Sequence, residues 1–397
     1  MRTAFVMAGL LTTVGGLVLL PRCVSHSCED LANCDTSGSG GSGGTPGGTG
    51  TGQGGTDPAT GGAGGTGTGG GDGGSGGSEP PPWGFAEIQT AWGVTCAAMT
   101  DGFVRCWGDN QWGGVGVGST GGTFDTPQDV SLSGVVQVTG SDRACARNAS
   151  AVHCWGFGFM NAPSPWGFPG ARWVSSSFLK ASFELEHTCV VDNGGAVHCW
   201  GDNNNGQLGI PSSTPNASMP VMVAGLTSVD EVAAGIGSTC ARAGSTVSCW
   251  GGIAGPTHIP TEVMGLSSPT ELTMTGSTAC VVDANQVKCW DDVTASPTTV
   301  MIDAIDVAAG WDHTCAVDTG GDVHCWGLND HGQLGNASTL ASDTPVQVAG
   351  LDDVKQVSAG RYSSCAVKND STGWCWGNNA VGQLGNGTAD SPQTTPT

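Results

Sequence analysis

From residue 85 onward, apolar and polar positions alternate in short runs separated by turns. The run from His313 to Gly335, HTCAVDTGGDVHCWGLNDHGQLG, shows the pattern at its fullest. Alternation over five or six residues on either side of a glycine turn predicts an antiparallel hairpin. Setting Cys315 opposite Cys325 places Val317 against Val323, Ala316 against His324 and Thr314 against Trp326. The loop is then Thr319-Gly320-Gly321, a three-residue connection containing glycine.

The unit returns. Cys-Trp occurs at 106, 154, 199, 249, 289, 325 and 375, and a second cysteine precedes each at 96, 145, 189, 240, 280, 315 and 365. Successive Cys-Trp steps are 48, 45, 50, 40, 36 and 50 residues apart, a spacing that marks a stacked supersecondary repeat. In three units the gap between cysteines is one shorter. The same pairing then leaves two-residue loops, Ala149-Ser150, Gly244-Ser245 and Ala284-Asn285. All seven pairs stay in register, about 4.5–5.5 Å apart at Cα, within disulfide reach. The expected bridges are Cys96–Cys106, Cys145–Cys154, Cys189–Cys199, Cys240–Cys249, Cys280–Cys289, Cys315–Cys325 and Cys365–Cys375.

One hairpin face carries the cysteine and valine pairs. The other carries Trp over a small partner, Thr95, Ala144, Thr188, Thr239, Ala279, Thr314 or Ser364. Two apolar faces require cover on both sides. Sheets stacked around a ring supply it, which predicts an all-β, seven-bladed β-propeller.

The residues themselves resemble the regulator of chromosome condensation repeat family, whose units read Gly, two residues, His-Ser/Thr, an apolar strand, a turn, Trp-Gly, Asn and Gly-Gln-Leu-Gly. Gly310, His313, Trp326, Gly327, Asn329 and Gly332 to Gly335 match. So do Trp200, Gly201, Asn203 and Gly206 to Gly209, and Trp376, Gly377, Asn378 and Gly382 to Gly385. The resemblance runs over residues 85–397 and thins in units 2, 4 and 5, which lose the Asn loop. It implies seven blades of four strands, use as a rigid interaction disc, and a structural role for His187 and His313. One secreted member of the family inhibits β-lactamases through a disc face. The paired cysteines lie outside the family's general pattern and look like an adaptation of an exported bacterial type.

Residues 1–22 hold Arg2 and then an apolar run from Ala4 to Leu20, the form of an export signal or lipoprotein leader. Residues 23–35 form a short cysteine-containing segment. Pairing Cys28 with Cys34 leaves Cys23 as the odd cysteine, the lipidation candidate. Residues 36–82 are a Gly/Ser/Thr/Pro-rich linker with no core-forming residues, with a reach on the order of 35–40 Å. The propeller occupies residues 83–397. Its first unit has only Phe85 to Thr90 before Trp92, whereas Thr344–Val348 and Val354–Gly360 suggest two strands ahead of a hairpin. The missing strand is expected from beyond Gly387. Only Ser391 to Thr397 remains there, so closure is expected to be frayed, or the sequence to stop early.

Charge narrows the function. Of 34 acidic and 12 basic residues, six and two precede residue 83, leaving 28 against 10 in the head. Nucleic-acid binding needs Lys and Arg to neutralise phosphates, so no nucleic acid is expected. Seven bridged hairpins imply an oxidising place, at the cell surface or in the medium. Equivalent histidines on neighbouring blades, His153, His198 and His324, stand too far apart to share an ion. Asp202 to Gly206 is loosely calcium-loop-like, but suits a tight turn equally. No nucleophile or paired carboxylate recurs beside His187 or His313. No catalytic residue, cofactor or metal is assigned.

The loops before each hairpin and the Asn loops after it lie at one end of the blades. Trp92, Trp112, Trp311, Arg361 and Tyr362 are therefore expected to converge on one disc face, among Asp109, Asp202, Asp312 and Asp330. Trp, Tyr and Arg dominate binding hot spots. The reading is a non-catalytic, surface-tethered or secreted module. Its head is monomeric, it touches membrane only through its N-terminal anchor, and it binds an unknown protein or surface polymer through that face. Guanine-nucleotide exchange, or a carbohydrate-binding or polysaccharide-active propeller, is the alternative.

Overall fold

The computed structural model describes residues 84–140, 143–158, 160–165, 168–177, 186–211, 214–255, 258–276 and 278–397. The leader, Cys23, Cys28, Cys34, the linker, Trp83 and Trp166 lie outside them.

Blade 1 is a four-stranded antiparallel meander, β1 (Phe85–Thr90), β2 (Val94–Met99), β3 (Val104–Asp109) and β4 (Thr123–Val130). Five further four-stranded sheets follow, spanning residues 135–165, 171–222, 231–262, 269–302 and 304–347. The seventh spans residues 354–377 with three strands. Each blade is one contiguous run of chain, innermost strand first.

The hairpin register is the one the cysteines dictate. Cys315 faces Cys325, Ala316 faces His324, Thr314 faces Trp326 and Val317 faces Val323. The short loops close as Ala243 opposite Thr246 and Asp283 opposite Gln286. All seven disulfides are present, with Cα separations of 4.0 to 4.1 Å. They sit at the narrow, non-hydrogen-bonded pair position of the ladder.

Both hairpin faces are buried, and each buries against a neighbour. The Cys–Val face of blade 1 meets Val135, Ala144 and Trp155 of blade 2. The Cys–Val face of blade 7 meets Ile88, Met99 and Trp107 of blade 1. The same pairing holds from blade 3 to 4, 4 to 5 and 6 to 7. The core is thus divided into interblade slabs, each disulfide lying under the next blade's tryptophan.

The glycine that follows the Trp in six of the seven hairpins, all but Trp290, has a plain cause. Gly108 has φ +104° and Gly327 φ +109°. A Cβ on Gly327 would lie 2.3 Å from the carbonyl oxygen of Asp312, in the loop before the same hairpin. The outer-strand register slips at this point, between Cys325 and Gly327, so the residue forms a β-bulge that only glycine fits.

Two readings of the sequence are corrected. Ser342–Gln347, which contains the Thr344 segment, is the outer strand of blade 6 and not a strand of the seventh unit. The first unit therefore lacks nothing. It is blade 7 that needs a fourth strand, and the tail supplies it. Gly377 and Gln393 exchange backbone hydrogen bonds at 2.7 and 2.8 Å, and Cys375 and Thr397 at 3.2 and 2.9 Å. The short, proline-broken tail suffices because it covers only an outer edge. In the seventh unit the structural asparagine is Asn379 rather than Asn378. Asn379 is fully buried; its Oδ1 accepts from Leu384 N and its Nδ2 donates to Thr388 O.

Candidate functional site

Two kinds of polar structure gather at the end of the blades bearing the Asn loops: interblade latches and an exposed mouth. The Gly-Gln-Leu-Gly segments build the latches. The carbonyl of Gln383 in blade 7 accepts Trp107 Nε1 at 2.9 Å and Thr95 Oγ1 at 2.8 Å from blade 1. Gln333 O accepts Trp376 Nε1 and Ser364 Oγ, and Gln207 O accepts Trp250 Nε1 and Thr239 Oγ1. The hydroxyl opposite the Trp, read in sequence as merely small, is therefore a second donor to the same carbonyl.

His187 and His313 extend these latches. His187 Nε2 lies 2.6 Å from Thr239 Oγ1, and His313 Nε2 lies 2.8 Å from Ser364 Oγ. Each hydroxyl already donates to a carbonyl, so the imidazole donates to it. Burial holds His313 neutral, its pKa pushed down to about 3. These histidines join blades. The rim histidines join their own hairpins instead: His198 Nε2 is 3.2 Å from Asp192 and His324 Nε2 is 3.1 Å from Asp318. The side chains of Asp202 and Asn203 serve turn closure, with Asp202 accepting from Asn204 and Gln207 and Asn203 Oδ1 accepting from Leu208 N.

The mouth is formed by the pre-hairpin loops. Trp311 N donates to Gly360 O of the next blade, and Arg361 N donates to Ala91 O of the one after. A Cβ on Gly360 would lie 2.3 Å from Ala91 O, so the loops approach backbone to backbone. This brings four of the five expected residues together. Trp92 and Trp311 meet edge to face, centroids 5.6 Å apart. The Arg361 guanidinium stacks 3.4 Å over the Trp92 ring, 5.3 Å from that of Trp311 and 4.5 Å from that of Tyr362. All four side chains are partly exposed. Burial raises the Asp312 carboxyl above its ordinary value, and Arg361 partly offsets this.

Trp112 is not part of this group. It is 40% exposed and packs edge-on against Phe157 of blade 2, centroids 5.4 Å apart. His331, which the sequence reading passed over, belongs to it: its ring lies 4.3 Å from Tyr362. The available signal was its place one residue before Gly332-Gln333-Leu334-Gly335, where the Asn loop turns inward. Trp92, Trp311 and Arg361 occupy one repeat position, four before the first cysteine. Their convergence thus follows from the ring. Two open hollows on the rim, of about 510 and 440 Å³, share no lining residue with the mouth cluster.

Seven stapled hairpins, four of them joined to the preceding blade by a bond from Trp107, Trp155, Trp250 or Trp376 to a loop carbonyl, define a seven-bladed β-propeller. The regulator of chromosome condensation (RCC1) repeat matches residues 194–242 and 320–367 in one form, and 304–333 and 354–383 in another. Those segments carry repeats of that family. It is similar to the human E3 ubiquitin-protein ligase HERC2, 45% identical over 51 residues, which are 13% of this chain and 1% of that protein. It is 26% identical to human RCC1 domain-containing protein 1 over 179 residues, 41% of this chain and 48% of that one. The chain thus spans less than half of either curated relative. The crystal structure of human WBSCR16 superimposes with a TM-score of 0.59 at 16% identity, covering 70% of this chain and 84% of that one, a likeness of fold.

The seven disulfides fit an extracellular setting. Among the described residues no helix is long and apolar enough to cross a membrane.

Proposed function

We propose that this protein is an exported, surface-tethered, non-catalytic module that binds another macromolecule through the mouth formed by blades 6, 7 and 1. The observation that carries the reading is the packed group of Trp92, Trp311, Arg361 and Tyr362. Its members hold one another in place and keep part of their surface open to solvent. Rigid aromatics ordered before binding cost little entropy when a partner arrives. The hairpin turns of the other face offer small residues such as Gly320 and Gly194 and little area to desolvate. Anchoring rests on the apolar leader, Cys23 and the linker.

The test begins with a partner captured from surface extracts by the full chain. Trp311→Ala with Tyr362→Ala should weaken that partner by roughly 2–4 kcal/mol. Thr319→Ala, at an exposed hairpin tip, should leave binding unchanged. Equal binding by the double variant, with loss in the turn variant, would move the site to the other face. Unchanged membrane association after Cys23→Ser would remove lipidation from the reading.

A further inference from the structure

A second set of interblade bonds runs around the axis, at one position of the innermost strands. Six blade junctions carry it. Glu87 Oε2 accepts Val138 N of blade 2 at 3.3 Å, and Gln137 Oε1 accepts Val174 N of blade 3 at 3.0 Å. Trp173 Nε1 donates to Val232 O of blade 4 at 2.9 Å, and Glu231 Oε1 accepts Leu272 N of blade 5 at 3.1 Å. Asp306 Oδ2 accepts Val357 N of blade 7 at 2.7 Å, and Gln356 Oε1 accepts Ile88 N of blade 1 at 3.1 Å. Each of these side chains immediately precedes an aliphatic residue: Ile88, Val138, Val174, Val232, Val307 or Val357. The seventh junction, from blade 5 to blade 6, is bridged lower down by Thr273 Oγ1, which accepts Ala309 N.

Three of the six links are carboxyls where an amide or indole serves equally well elsewhere in the same girdle. Glu231 and Asp306 are buried, and Glu87 is half-buried. Glu87 faces Gln89 on its own strand and Arg147 of blade 2. Glu231 faces Arg242 on the adjacent strand of its blade and Glu271 of blade 5; Arg242 is shared with Asp230. Asp306 faces backbone N–H groups and the acids Glu271 and Glu231, with no cation among the groups acting on it. A buried carboxylate beside two others and without a cation, as Asp306 is, is costly to ionise; at Glu231 and Glu87 burial outweighs the opposing pull of Arg242 and Arg147.

We propose that closure of the ring is proton-linked, the girdle carboxyls Glu87, Glu231 and Asp306 entering the folded state in their neutral form, so that the propeller is hardened by mild acid and loosened above neutrality. Desolvation raises all three to about 7 in the folded protein. Groups raised on folding stabilise fully below their unfolded values near 4, and that stabilisation is lost as pH climbs through 7. Each contributes up to about a tenfold fall in the folding constant per pH unit across the window. His313 acts in the opposite sense over the same range, since it must stay neutral when folded. The carboxyls outnumber it.

The experiment is urea unfolding of the full chain, disulfides intact, from pH 5.0 to 7.5, for the wild type and for Glu87→Gln/Glu231→Gln/Asp306→Asn. Wild-type stability is expected to fall with rising pH, and the triple variant is expected to be flat or to rise. Parallel pH dependence in the two proteins would overturn the proposal. Should the triple variant fail to fold, Asp306→Asn alone and the wild type decide it. Unfolding the wild type at pH 6 in two buffers of different ionisation heat should show net proton release, which Asp306→Asn should diminish. No release, or no difference, refutes it.

Discussion

Replacing Trp107 by Phe tests whether the latches close the ring. Trp107 is 2% exposed and packs with Ile88, Met99, Val367 and Leu384 at the junction between blade 7 and blade 1. The substitution removes the Nε1–H bond to Gln383 O, a loss of about 1 kcal/mol. The carbonyl keeps Thr95 Oγ1 as a donor, so it is not orphaned. The missing part of the indole leaves a space beside the disulfide, adding a further ~1–2 kcal/mol of packing loss. The expected total is about 2–3 kcal/mol in urea unfolding followed by circular dichroism, without reductant, at unchanged m value. Trp326 is the internal comparison. Blade 5 has no Gly-Gln-Leu-Gly segment to cap it, and it is partly exposed. Trp326→Phe should cost below about 1 kcal/mol. Equal losses at the two positions would refute the view that the loop carbonyl is what makes the Trp a latch.

Other consequences are as direct. Cys315→Ala with Cys325→Ala opens a loop of about ten residues and should lower stability by roughly 2–3 kcal/mol, read from the same unfolding curves. Non-reducing peptide mapping should link each first cysteine to the next in sequence, seven times. Asp283 is completely buried and accepts bonds from Ser267 N, Ser268 N and Lys288 Nζ. Although burial works against it, those bonds hold its carboxyl below the ordinary value, so its stabilisation is kept above pH 4 and lost only in stronger acid. Asp283→Ala, which strands those donors, should cost about 3 kcal/mol at pH 7.

The hairpins were legible because two signals agree in them. The period-2 pattern sets the faces, and the cysteine pair sets the register, so loops of different length still close correctly. The four-strand blade was harder to parse. Outer strands such as Ser342–Gln347 are polar on one side and bear prolines, and nothing in the local pattern says which hairpin they join. The error over ring closure followed from that. Asn378 and Asn379 are adjacent, and only burial separates the structural one. The mouth was placed from loop geometry alone, which is why Trp92, Trp311, Arg361 and Tyr362 converge and Trp112 does not. Trp112 lies farther along the Asn loop, where the chain has already turned toward blade 2. The axial girdle was invisible because a Glu or Gln in an inner strand reads as an exposed position. Only the next blade's backbone reveals what it bonds.

The tail completes blade 7 from within its own sequence, so no strand is shared across the junction with blade 1. Many circular structures are zipped shut by one segment lent from the opposite terminus, and this one is not. Each blade is a self-contained cassette, and opening the ring breaks side-chain and loop contacts while leaving every sheet whole. The joint is that of a split washer. New termini placed between any two blades, with the region around Thr397 linked to that around Gly84, should give back the same disc. Blade number is accordingly set by how the slabs between blades pack and not by any thread of backbone passing across the closure.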